Sequence, residues 1–143
     1  MRPMDAAACA VGRIGPDGPW VGFAPTLDDG YALVVGGVGE GSRRTPADGD
    51  DLVALATVYF DETLAEPPDD LAATLGDIGA LVRHVAEHEP DPGRRRLLGE
   101  AVDAVDDGLA ADVTIARLGR ALGEGVDATA RVRGRVREVL ASP

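Results

Sequence analysis

The chain has 143 residues, 45% of them apolar, with a single cysteine and a net charge of −11. A domain of that length buries roughly two thirds of the surface its unfolded form exposes, so it needs no disulfide or structural metal to hold a core. Cys9 alone allows no intramolecular disulfide and no cysteine-built zinc site within one chain, the acidic balance repels nucleic acid and anionic membrane, and no run approaches the 18 apolar residues of a membrane span.

The charge is unevenly placed. Residues 1–92 carry 5 Arg against 17 Asp and Glu, a net of −12, while residues 93–143 carry 9 Arg against 8, a net of +1. Lysine, asparagine and glutamine are absent, the mark of a GC-biased coding sequence, so part of the acidity is compositional background. Only Trp20, Phe23, Tyr31, Tyr59 and Phe60 are aromatic, and the core has to be built from Leu, Val and Ala, which favours helices.

In chain order, residues 6–14, 20–24 and 30–38 are short apolar runs separated by Pro16-Asp17-Gly18-Pro19 and Pro25-Thr26-Leu27-Asp28-Asp29-Gly30. These turn-forming separators predict a three-stranded antiparallel meander, with the Ala6–Val11 run read as a first strand rather than as a signal peptide. Gly36–Gly41 then places four glycines in six residues ahead of Ser42-Arg43-Arg44. Gly39, Gly41, Arg43 and Arg44 are the candidates for an anion cradle, because backbone N–H groups and guanidinium groups both suit an anion. Neither standard phosphate-loop signature is present.

From residue 45 the pattern becomes helical. Thr45-Pro46-Ala47-Asp48 offers a capping hydroxyl, a first-turn proline and a carboxylate, predicting a helix from there to about Leu64 with Leu52, Leu55, Tyr59 and Thr63 on one face. A second helix from near Pro68 carries Leu71, Leu75, Ile78, Val82 and Val85 at spacings of three and four. Asp91-Pro92 predicts a third, ending near Asp107-Gly108, and a fourth spans about 110–122. The last segment reads two ways: Val132, Val136, Val139 and Leu140 suit a helix capped by Asp127, yet Arg131, Arg133, Arg135 and Arg137 alternate as on a strand. The helix is preferred because Glu138-Val139-Leu140 breaks the two-residue period. The fold expected is thus α+β, a single domain over 1–143 with strands in 6–38 and four or five helices in 45–140.

His84-Val85-Ala86-Glu87-His88 is the sharpest local pattern, with both histidines of the chain four residues apart. That spacing can present two imidazoles to one metal ion, with Glu100 as a third ligand, and the His-x-x-Glu-His order matches the inverted zincin signature over five residues of 143, too few to carry a family. A solvated helix end is the preferred reading, since both histidines sit beside the apolar stripe next to Glu87 and Glu89. Glu100, Asp103 and Asp107 form a second carboxylate row, also read as a solvated face. No nucleophile elbow and no cofactor motif is present.

The function expected is an acidic, cytoplasmic protein-binding or accessory protein that neutralises or inhibits a basic partner, more an interaction protein than an enzyme. Asp50, Asp51, Asp61 and Glu62 would supply the charged rim, and Trp20, Phe23 and Tyr31 the aromatic anchors. The alternatives are a metal-dependent hydrolase using His84 and His88 or the carboxylate helix, and a structural homo-oligomer such as a homodimer. The arginines of the second half are expected to offset the acidic first half, within the chain or across such a dimer.

Overall fold

The computed structural model describes residues 9–13, 19–26, 30–36, 43–60, 71–123 and 125–141, with side chains described throughout these except at 9–13 and 71–77. Strands β1 (Cys9–Arg13), β2 (Trp20–Pro25) and β3 (Tyr31–Gly36) form the antiparallel meander that the turn residues predict. A short fourth strand, β4 (Arg43–Pro46), pairs antiparallel with β3 and gives the order β1-β2-β3-β4. Five helices follow: α1 (Gly49–Phe60), α2 (Leu71–His88), α3 (Pro92–Asp106), α4 (Ala111–Leu122) and α5 (Ala128–Ala141). Strands first and helices after give the α+β arrangement.

β4 corrects the expected start of the first helix. Pro46 lies opposite Ala32 in the sheet instead of opening a helical turn, and the helix begins three residues later. Asp48 is its cap: the Asp51 N–H donates to Asp48 Oδ1 at 2.8 Å, and the Asp48 N–H donates back to Asp51 Oδ2 at 3.2 Å. This is a capping box with aspartate in place of the usual glutamate. The expected end of that helix near Leu64, Glu66-Pro67-Pro68 and the second helix's start near Pro68 lie outside the described residues.

The expected one-sided face on α1 is also exceeded. Residues 51–58 are all buried, because α1 is packed by α2, α4 and α5 and by the sheet through β1 and β3. Its interior hydroxyl is satisfied, with Thr57 Oγ1 donating to the Val53 carbonyl at 2.8 Å. One core cluster joins Val21, Phe23, Leu33 and Val35 of the sheet to Leu55, Ile78, Leu81, Leu98, Leu118 and Val132 from all five helices. Trp20, Ala24 and Val34 form a second cluster. Side chains on a strand alternate between faces, so these three occupy the sheet face opposite Val21, Phe23, Leu33 and Val35.

α5 is helical, which resolves its two readings. Val132, Val136 and Val139 are buried while Arg133 and Arg137 are exposed, the periodicity of a helix packed on one side. α3 starts as its Asp91-Pro92 signal predicts, with Asp91 Oδ2 accepting from the Arg94 N–H at 3.1 Å. It ends in a Schellman turn: Leu109 N–H reaches the Ala104 carbonyl at 3.0 Å and Gly108 N–H the Val105 carbonyl at 3.2 Å, with Gly108 at φ 65°. That left-handed turn reverses the chain into α4, which packs against α3.

Candidate functional site

The acidic entry of α1 is where the two halves of the chain meet. Asp51, only 5% exposed, receives Arg131 Nε at 3.1 Å on Oδ1 and has Arg135 Nε 3.3 Å from Oδ2. Arg131 Nη2 also lies 3.3 Å from both oxygens of Asp48, and Arg135 Nη2 donates to the Pro46 carbonyl at 2.9 Å. Burial draws the Arg131 pKa down, but the carboxylates of Asp51, Asp48 and Asp50 outweigh it and hold this guanidinium above the usual arginine value. The expected neutralisation of the acidic half by the arginines therefore operates within the chain.

Arg94 performs the same service for four helix ends. Its guanidinium pairs with Asp50 at the start of α1 and with Glu89 Oε2 at 3.0 Å just after α2, while its Nε donates to the Ala121 carbonyl at the end of α4 at 3.0 Å. Its own N–H is held by Asp91 at the start of α3. The planar guanidinium, with five donors, suits such multi-point bridging.

Tyr31, Asp50, His84 and His88 do come together, around a cleft of about 320 Å³ beside Arg94. The Tyr31 ring stands edge-on to Phe23 at 5.8 Å and to His84 at 4.8 Å, and the His84 and His88 rings lie 4.2 Å apart. His88 Nδ1 is 2.8 Å from the His84 carbonyl, which can only accept, so Nδ1 carries the proton. The pair is thus arranged as a ring stack extending the aromatic contacts of β3. Among the described residues no three His, Cys, Asp or Glu side chains gather as metal ligands, so Glu100 does not complete a triad with the histidines. The Glu100 carbonyl instead accepts from Arg117 Nη1 at 3.0 Å.

The remaining sequence candidates are distributed elsewhere. Trp20 and Phe23 are buried in the two core clusters, and Asp50 and Asp51 face the arginines just described. Asp61, Glu62, Gly39 and Gly41 lie outside the described residues. Arg43 and Arg44 are exposed on β4, and Arg43 Nη1 donates to the Leu140 carbonyl at 3.1 Å, tying the strand to the end of α5.

Two surfaces that sequence reasoning did not single out lie at opposite ends of the α3–α4 hairpin. At the α3-start and α4-end, a groove of about 620 Å³ has Leu97, Ala121 and Leu122 among its lining residues and Arg96 and Arg120 on its walls. Among the described residues neither of these two guanidinium groups has a hydrogen-bond or ion-pair partner. At the other end, the Schellman turn leaves Leu109 39% exposed, and Val113, one turn further on, is also 39% exposed. Asp107, Asp103 and Asp112 surround that pair in sequence and are exposed. The Asp103 and Asp107 carboxylates have no partner among the described residues, while Asp112 accepts only the adjacent Val113 N–H. The signal in the sequence was the Asp-Asp-Gly-Leu run at 106–109, which marks a helix stop and an apolar residue just outside it.

Comparison with protein-family models, with curated proteins and with solved structures finds no match for the chain. Among the described residues, no helix is long and apolar enough to cross a membrane.

Proposed function

We propose that this chain is a protein-binding accessory protein that docks a basic partner on the corner between α3 and α4. The carrying observation is the exposed Leu109 and Val113 set among the exposed carboxylates Asp103, Asp107 and Asp112, none of which pairs with a cation among the described residues. Apolar contact at the centre of such a patch supplies affinity, while the charged rim raises the association rate and selects the partner's sign. Asp103, Asp107 and Asp112 select for Arg or Lys around an apolar contact. The acidic half's own carboxylates at Asp48, Asp50 and Asp51 are engaged by arginines of the same chain, so the docking surface moves away from α1 while the charge logic stays.

A photo-crosslinking side chain placed at Val113 in the full chain tests this. The crosslinked segment of the partner should be net positive with an apolar centre, and Asp103→Asn, Asp107→Asn and Asp112→Asn together should lower the crosslinking yield at least about tenfold at ~0.15 M salt. An acidic contact segment, or a yield indifferent to the three substitutions, overturns the reading.

A further inference from the structure

The α3–α4 hairpin presents two surfaces of opposite charge that complement each other in chemistry. Its acidic end carries the exposed apolar pair Leu109 and Val113 beside Asp107 and Asp112. Its other end carries the groove lined by Leu97, the nearly buried Leu122, Arg96 and Arg120; Asp50 and Asp91, which line it too, are already engaged by the Arg94 guanidinium and the Arg94 N–H. Arg94, which also lines the groove, is already committed to Asp50 and Glu89, so the unspent positive charge there belongs to Arg96 and Arg120.

We infer that the basic partner of the acidic corner is a second copy of this chain, whose Arg96 and Arg120 receive Asp107 and Asp112 while Leu109 and Val113 enter the groove. This rests on the docking surface proposed above and names its occupant. A chain cannot satisfy itself in this way, because Arg96 and Asp107 stand about 16 Å apart along the rise of α3. The two surfaces differ, so the contact is head-to-tail: each added copy leaves one groove and one corner open, and assembly extends into a ring or a filament rather than stopping at a two-fold dimer.

The net charge of −11 shapes the conditions under which this occurs. Whole-molecule repulsion acts over long range and is screened once the Debye length falls to about 8 Å near 0.15 M salt, whereas partly desolvated contact pairs survive to higher salt. Self-association is therefore strongest at intermediate ionic strength and weaker both below ~0.02 M and near ~1 M.

Sedimentation velocity of the full chain across protein concentration, at ~0.15 M salt, reads this directly. The weight-average mass should rise with concentration. A groove variant, Arg96→Ala with Arg120→Ala, and a corner variant, Asp107→Ser with Val113→Arg, should each remain monomeric with unchanged helix content. Mixed together they should form a one-to-one pair that grows no further, since only one intact groove and one intact corner remain between them. A wild-type chain that stays monomeric throughout overturns the inference whatever the variants do. So does wild-type association in both variants, or a mixture that stays unassociated. The docking reading stands separately: a monomeric wild type whose Val113 crosslinks, in a charge-dependent way, to a basic segment of a different protein sinks only the second-copy assignment.

Discussion

Arg131 reaches back across 80 residues to place its Nε 3.1 Å from Asp51 Oδ1 at the entry of α1. Asp51 also accepts the Asp48 N–H and is flanked by Arg135, so one nearly buried carboxylate serves a helix cap and two cations. Removing it takes away the anion the two guanidinium groups share, leaving Arg131 to Asp48 and Arg135 to Glu138. Asp51→Ala should cost about 1–3 kcal/mol, combining the lost capping bond with two lost ion pairs, whereas Asp51→Asn, which can still accept the capping bond, should cost less. Urea unfolding at constant m-value measures both.

The pH dependence of that contact follows from the sign of the Arg131 shift. A cation whose folded pKa is raised contributes stability that is complete below its unfolded value and is lost only as pH rises through the folded one. The stability difference between the wild type and Arg131→Met should therefore stay flat from about pH 7 to pH 10. A difference that shrinks steadily across this range would show that Arg131 is not the cation responsible.

Burial separates two leucine-type substitutions that hydropathy alone would treat alike. Leu55 is fully buried in α1 and Leu55→Ala should cost about 2–5 kcal/mol through lost transfer energy and the cavity left behind. Leu109→Ala, at the corner and 39% exposed, should cost less, about 1 kcal/mol. Thermal and denaturant unfolding of the pair test whether α1 is the centre of the core.

Gly99 and Gly134 lie inside α3 and α5 with nothing within 4 Å of where a Cβ would stand. Alanine fits both positions and restricts the unfolded chain, so each substitution should stabilise by about 0.5–1 kcal/mol, and the two should add because the sites lie on different helices. Loss of stability at either would mean that the helix there is strained.

His84 and His88 should hold zinc weakly. No third His, Cys, Asp or Glu side chain gathers with the pair among the described residues, so two imidazoles at most would hold the ion. Exhaustive dialysis against trace zinc should leave well under one equivalent bound, and His88→Ala should not change the amount. Stoichiometric zinc lost in both single alanine variants would promote the hydrolase alternative above the binding reading.

The fold was legible wherever local chemistry and tertiary packing agreed. Asp91-Pro92 marks the start of α3 because cap and proline act within one turn, and Asp107-Gly108 marks its end because the turn there needs a left-handed residue. Around residue 46 the two disagreed. Thr45-Pro46 is a sound local start signal, but pairing with β3 takes those residues into the sheet and leaves Asp48 and Asp51 to cap the helix, a contact that local reading does not contain. The same limit applies to the site. Asp50 and Asp51 looked available because their arginine partners sit 44 and 80 or more residues away, and Trp20 and Phe23 looked like anchors because a strand pattern does not tell that both sheet faces are covered. Arg96 is read with the other arginines of the second half as offsetting the acidic half, because nothing in a basic run distinguishes a spent arginine such as Arg94 from an unspent one.

The central position of α1 also sets an order of events during synthesis. This helix leaves the ribosome before α4 and α5, which cover two of its sides. Until α5 has emerged, an apolar helix buried all round in the finished protein stands partly uncovered, and its closing contacts span much of the chain, a topology that folds slowly. The carboxylates at its entry, Asp48 and Asp51, meet Arg131 and Arg135 only after α5 has been made, so these ion pairs form with the closing of the wrapping and not before it.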